Sequence, residues 1–467
     1  MQVKKIAALC ALAFAGVSAH AAMTPAEQAV LNNANAAGRV IYISGASAVD
    51  AGFNQIIDQT FTGTTIRFIN SQGYKAVAGT LAAGTGTWAG QPAIIINRTK
   101  GGSVWGVNPV ARAQSIESMD VTAAACGASG AGTSASPYTC TLTNMVPDAG
   151  VSDVAPALFK APYNTEGEVA AESLTDAELA ELAIAPIYGL AFGVPVTNNV
   201  GNIALNKAAV TAIMAGNVSN WSQLGDAPAD IVICRRVPGS GTQAVENLYF
   251  GSYPCAAAAN VPADRYASGA WDEGSKTYTA ANGAGGLIVI ENSSSSQVRS
   301  CLDKAVTGGT YNTSDRDGNA VTVDFGAGGY KAIGVLSMDS LSSSKTTGNW
   351  QFRSLDGAGT ITWDNTANPV ATSGTGKFPT KAALVDGTWD MVGMISFNVP
   401  SRTTGAKAEV LTKFLENAQS PAILASQSSL KNVTASPAGT PDPTATGNVM
   451  RAEYANGDQC APYSRNY

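Results

Sequence analysis

The chain has 467 residues, 13% of them charged, with a formal net charge of −6 and 45% hydrophobic content. So sparse and acidic a charge set excludes duplex nucleic acid or an anionic membrane surface as the main partner, because both are bound through excess Lys and Arg. It leaves small anions open, since their capture depends on local donors and not on net charge.

Lys4 and Lys5 precede an apolar run from Ile6 to Val17, and Ala19-His20-Ala21 follows. This is the layout of a secretory signal, with 1–21 as the signal peptide and cleavage expected after Ala21. Cys10 follows Ala-Ala-Leu and makes a poor lipoprotein box. No later apolar stretch reaches the roughly 18–20 residues of a bilayer span. Export to the periplasm or the extracellular space is therefore expected. The only histidine, His20, departs with the signal, leaving 26 basic against 34 acidic residues and a net charge of −8. A mature chain without histidine has no Ser-His-Asp triad and no His-ligated metal. No metal, no cofactor and no catalytic residue is expected.

At roughly 446 mature residues the chain is too long for one core. Helix and strand signals alternate, which favours an α/β architecture. In chain order, Arg39–Ser44 reads as a strand running through Gly45-Ala46-Ser47 into a helix with Phe53, Ile56 and Ile57 on its apolar face. Ile94–Ile96 and Ile184–Val196 read as strands, and Ala208–Ala215 as a helix stopped by Gly216. Ile231–Arg235 reads as a buried strand before a helix carrying Val245, Leu248 and Tyr249. Lys331–Ser337 and Met391–Val399 read as late strands, and Ala406–Ala418 as a closing helix. The Gly/Ser/Thr-rich stretches 122–139, 264–286, 306–329 and 433–448 read as surface loops or insertions. The expected organisation is a first lobe of 22–190 plus 388–467 and a second lobe of 191–387.

Six mature cysteines in an exported chain favour disulfides, and no C-x-x-C pair suggests zinc or a redox dithiol. Cys126 and Cys140 flank one Gly/Ser/Thr-rich loop and form the first expected pair. Cys234 with Cys255 and Cys301 with Cys460 are the pairings carried forward, out of fifteen connectivities.

The stretch Arg235-Arg236-Val237-Pro238-Gly239-Ser240-Gly241-Thr242 lies between that buried strand and the following helix. Glycines let the backbone expose its N–H groups, Ser240 and Thr242 add hydroxyls at a helix start, and Arg236 offers a forked cationic donor. A tetrahedral oxyanion suits such a set.

These residues carry a family resemblance. Ile184 to Phe250 resembles the second-domain entry of the phosphate-binding proteins of ABC transporters, through Ala215-Gly216-Asn217-Val218-Ser219-Asn220-Trp221, then Arg-Arg, then Gly-Ser-Gly-Thr. Ser44–Ala48 is similar to the family's first loop, Val151-Ser152-Asp153 to its Ser-Asp segment, Asn97–Ser103 to a Ser/Gly-rich turn, and Ala332-Ile333-Gly334-Val335 to "A-I-G-Y". The resemblance spans about 39–425. It implies a two-lobed type 2 periplasmic binding protein fold that closes on inorganic phosphate or a similar oxyanion and delivers it to an ABC permease. It also implies Ser47, Ala48 and Val49 as first-loop contacts, Asp153 as acceptor of the phosphate proton, and Arg236, Ser240, Gly241 and Thr242 as second-lobe contacts. The sequence departs from the family at Val49 and Asp50, where a hydroxyl and an aromatic are usual, and at Pro238, where an acid is usual. Pro238 implies an Arg236 without its usual partner. Two other readings stay open: a structural or surface-interaction protein with a degenerate anion site, and a hydrolase using an activated Ser or Asp.

Overall fold

The computed structural model describes residues 23–47, 50–127, 129–165, 172–265, 269–281, 286–342, 348–363, 370–427, 430, 433–437 and 448–465. The expected signal peptide and the first-loop residues Ala48 and Val49 lie outside these. The principal elements are α1 (Pro25–Ala36), β1 (Val40–Gly45), α2 (Asp50–Asp58), β2 (Phe61–Ile69), β3 (Lys75–Leu81), β4 (Pro92–Arg98), β5 (Ala149–Ser152), β6 (Leu182–Thr197), α3 (Lys207–Met214), β7 (Ile231–Arg236), α4 (Gly241–Gly251), β8 (Ile288–Asn292), α5 (Ser295–Thr307), β9 (Lys331–Gly334), β10 (Val392–Pro400) and α6 (Gly405–Gln419).

Strand order is β8-β7-β9-β6-β10-β5-β1-β4-β3-β2. β1 runs parallel to β4 and β5, and β7 runs parallel to β8 and β9. Each triplet is nearly continuous apolar sequence, as strands covered on both faces require. All residues of β7 and β8 are buried. Toward the middle of the sheet each triplet meets an antiparallel strand, β10 beside β5 and β6 beside β9, and β3 also runs antiparallel to β4 on the outer side of the first triplet. β6 and β10 also pair with each other from Leu182–Pro400 to Ala191–Val392, so both strands run between the two halves. A 16-residue strand at about 3.3 Å per residue reaches roughly 50 Å, enough to serve two lobes. This is the two-lobed periplasmic binding protein fold.

Helices pack over the sheets through spaced apolar positions. α5 starts at Ser294, whose hydroxyl accepts from Gln297 N, and buries Val298, Cys301, Leu302 and Ala305 on one stripe. α6 buries Val410, Leu411, Phe414 and Ala418 in the same way. Trp221 is fully buried in the core, its Nε1 donating to Lys331 O at 3.0 Å. No helix among the described residues is long and apolar enough to cross a membrane.

The structure corrects two expectations. The stretches 264–286 and 306–329 are more than loops: Ala270–Asp272, Thr277–Thr279, Ala320–Asp324 and Thr310–Ser314 form a separate four-stranded sheet. Its inward positions, Tyr278, Val321 and Val323, alternate with polar residues, and the surrounding Gly, Ser and Thr mask that alternation. The cysteines also pair differently from the expected 234–255 and 301–460. Cys126 joins Cys140, but Cys234 joins Cys301 and Cys255 joins Cys460. Cys234 is fully buried in β7 beneath α5, which presents the equally buried Cys301. Cys255 and Cys460 are both exposed, one beyond α4 and one in the C-terminal tail. Separation along the chain carries none of this information.

Peptide mapping under non-reducing conditions is expected to recover the links 126–140, 234–301 and 255–460, with no free thiol under denaturant. Recovery of a 234–255 peptide would overturn this topology.

Candidate functional site

The carboxyl ends of both parallel triplets face one cleft, the usual ligand position in open α/β sheets. From the first half come the residues after β1, β4 and β5. After β1, Ala46 N donates to Val151 O at 3.0 Å, and Ser47 follows at the carboxyl end of β1 as Asp153 follows β5. After β4, the chain turns through Gly102 (φ +88°) into a short 3₁₀ segment, Ser103–Gly106. Ser103 Oγ accepts from Asp153 N at 3.0 Å and fixes its position. From the second half come Arg236 at the end of β7, Ser240 as the N-cap of α4, and Gly241 and Thr242 in its first turn.

The halves touch across the cleft. Val104 N donates to Gly239 O at 2.9 Å, and Asn247 Nδ2 donates to Asn164 Oδ1 at 2.8 Å. A Cβ on Gly241 would lie 2.2 Å from Ser103 Oγ and 2.5 Å from Asp153 Cβ. One on Gly102 would lie 2.8 Å from Ser240 Cα. Only glycine at both positions permits this approach. The cleft is closed.

Arg236 is 1% exposed. Its Nε donates to Asn292 O at 3.1 Å, and its terminal nitrogens donate to Ser293 O at 2.8 Å and Ser295 Oγ at 3.3 Å. Pro238 therefore does not leave it without a partner: the end of β8 and the start of α5 hold the guanidinium from behind. Ser240 Oγ accepts from Gln243 N at 3.4 Å. Three buried polar atoms at the cleft, Ser47 Oγ, Asp153 Oδ1 and Thr242 Oγ1, have no hydrogen-bond partner. A buried unmet donor or acceptor costs about 1–3 kcal/mol.

Asp153 is 1% exposed, and burial pushes its carboxyl up to about 7. Arg236 and the Ser103 contact pull it down and Asp339 pushes it further up, but desolvation wins. Asp339 is itself raised to about 6, chiefly by burial, although Ser337 Oγ donates to it at 2.6 Å. Behind α4's first turn, Glu246 is raised to about 7 for the same reason.

The structure thus brings Ser47, Asp153, Arg236, Ser240, Gly241 and Thr242 to one cleft. Asp50 opens α2. Lys100 stays outside, donating to Gln72 Oε1 at 2.7 Å as an exposed side chain. Ser103, Gly102 and Asp339 were not singled out from the sequence. The Ser/Gly-rich turn at 97–103 held the signal for the first two, while Asp339 had none.

Fold and cleft together give a two-lobed α/β architecture of the periplasmic binding protein type. Residues 172–348 match the family model of a PBP superfamily domain, and this span contains the sharpest stretch of the resemblance, 184–250. No curated protein matches the sequence. Among solved structures, the chain is similar to a phosphate ABC transporter substrate-binding protein with bound phosphate from Clostridium perfringens. The two are 13% identical, covering 83% of this chain and 97% of the other at a TM-score of 0.41. It is also similar to an ABC-type phosphate transport receptor from Vibrio cholerae, 11% identical over 80% and 93% of the chains at 0.36. A phosphate binding protein from Stenotrophomonas maltophilia is 12% identical over 82% and 84% at 0.39.

Two outcomes are expected of the ligand-free protein. Folding raises the pKa of Asp153, Asp339 and Glu246, so their stabilising contribution is full near the ordinary carboxylate range and is lost as pH rises through about 6 to 7. The melting temperature should therefore rise as pH falls from 8 to 6, and Asp153→Asn should flatten part of that slope. A flat wild-type profile would contradict the burial argument. Gly241→Ala should keep the melting transition within a few degrees but hold the lobes apart, giving a larger radius of gyration in solution scattering than wild type.

Proposed function

We propose that the protein is an exported receptor that captures a tetrahedral oxyanion, inorganic phosphate first among them, and passes it to an ABC permease. The observation that carries this reading is the trio of buried, unpartnered atoms beside Arg236: Ser47 Oγ, Asp153 Oδ1 and Thr242 Oγ1. Backbone N–H groups of α4's first turn, the hydroxyls and the guanidinium would bind anionic oxygens. An ionised Asp153 would accept the proton of hydrogen phosphate and repel sulfate, which has no proton to offer. Capture without turnover fits the donor set, since the mature chain offers no histidine to activate water. The lobe boundaries near 190 and 388 fit the same reading, with β6 and β10 as the strands between lobes.

Calorimetric titration of ligand-stripped protein tests this. At pH 8, phosphate should bind and sulfate should bind far more weakly. That preference should shrink as pH falls through about 7 and Asp153 gains a proton. Arg236→Ala removes charge-assisted hydrogen bonds worth roughly 1.5–3 kcal/mol each and should weaken phosphate binding at least tenfold. Asp153→Asn should bring sulfate closer to phosphate at every pH. If the wild type binds neither anion at millimolar concentration, a degenerate site on a structural protein replaces this reading.

A further inference from the structure

Beside the closed cleft lies a second cavity, of about 300 Å³. Ser47, Asp153, Ser240, Gly241 and Thr242 do not line it. A volume near ten times that of one water in the liquid is more than a lone tetrahedral oxyanion fills. Four arginines form its walls: Arg235 and Arg236 from the end of β7, Arg265 after α4, and Arg316 from the turn between Thr310–Ser314 and Ala320–Asp324. Among the described residues, two carboxylates line it with them, Glu291 and Asp264.

Glu291 is fully buried and serves as the base on which the arginines are set. Arg235 donates to its Oε1 at 2.9 Å, Arg316 donates to both of its oxygens, and Arg265 stands 3.8 Å from Oε2. Asp315 and Asp317 lie 4.0 and 3.4 Å from Arg265, but neither lines the cavity. The wall therefore carries more guanidinium than carboxylate, in a setting where planar forked donors grip phosphate oxygens in pairs. Gln243 also lines the cavity; it is 2% exposed, and its amide nitrogen donates to Glu246 and Asn247. Tyr163, Pro238 and Pro262 supply apolar surface between the polar ends.

We propose that this cavity is a separate binding site for a small phosphomonoester, with its phosphate on Arg265 and Arg316. The site shares Arg236 with the cleft but none of Ser47, Asp153, Ser240, Gly241 and Thr242.

Glycerol 3-phosphate is the probe, titrated calorimetrically into the full mature chain in the absence and presence of saturating inorganic phosphate. Binding should survive saturation with inorganic phosphate. Arg316→Ala and, separately, Arg265→Gln should each weaken it at least tenfold, while inorganic phosphate titrates as in wild type. Asp153→Asn should leave affinity for glycerol 3-phosphate unchanged. Both arginines are partly exposed, and unchanged melting would confirm that each variant folds. Displacement of glycerol 3-phosphate by inorganic phosphate, or equal affinity in both arginine variants, would overturn the second site while leaving the cleft reading intact. Binding of glycerol 3-phosphate without any response to inorganic phosphate would do the reverse.

Discussion

Everything at the cleft depends on how deeply Asp153 is withdrawn from water. A displacement from the ordinary carboxylate range to about 7 corresponds to roughly 4 kcal/mol of disfavoured charge. Arg236 opposes that cost but does not cancel it, because its own guanidinium is already committed to carbonyl oxygens after β8. The cleft thus holds one carboxyl oxygen of Asp153 and the hydroxyls of Ser47 and Thr242 buried without hydrogen-bond partners.

The sequence showed the second half of the cleft more clearly than the first. Ile231–Cys234 is apolar throughout, and beyond the two arginines Gly239-Ser240-Gly241 supplies residues suited to a tight turn into a helix. Local chemistry was enough there. Asp153 followed from the strand Ala149–Ser152 only through the family resemblance, since a short strand and a loop acid have no distinctive pattern. Ser103 and Asp339 reach Asp153 from 50 residues before it and 186 after, and contacts of that kind leave no trace in local spacing. The cysteines failed for the same reason. Cys126 and Cys140 close a local loop, whereas the remaining pairs are set by how α5 and the C-terminal tail pack.

The Gly/Ser/Thr-rich insertions behaved least as composition suggested. Threonine and serine on the outer face and tyrosine and valine on the inner face make a sheet whose mean hydropathy is unremarkable. Its burial shows only once the strands are paired, with Val321, Val323 and Tyr278 inside. The same insertions carry Arg265 and Arg316 to the edge of the second lobe. Segments that read as filler supply charge to a buried carboxylate, Glu291, that belongs to the central sheet.

The Cys255–Cys460 link has a mechanical side. Its first cysteine extends from α4, in the half that holds Arg236. Its second sits one residue beyond Gln459, a buried side chain whose oxygen accepts from Ala155 N, two residues past Asp153. The tail also lies along β10, where Tyr454 donates to Val392 O at 3.4 Å. Two crossing strands alone would act as a hinge, free to swing wide. With a covalent strap from the far lobe to the backbone behind Asp153, the halves are tied like a door on a short chain and can part only as far as the tail allows before it peels away.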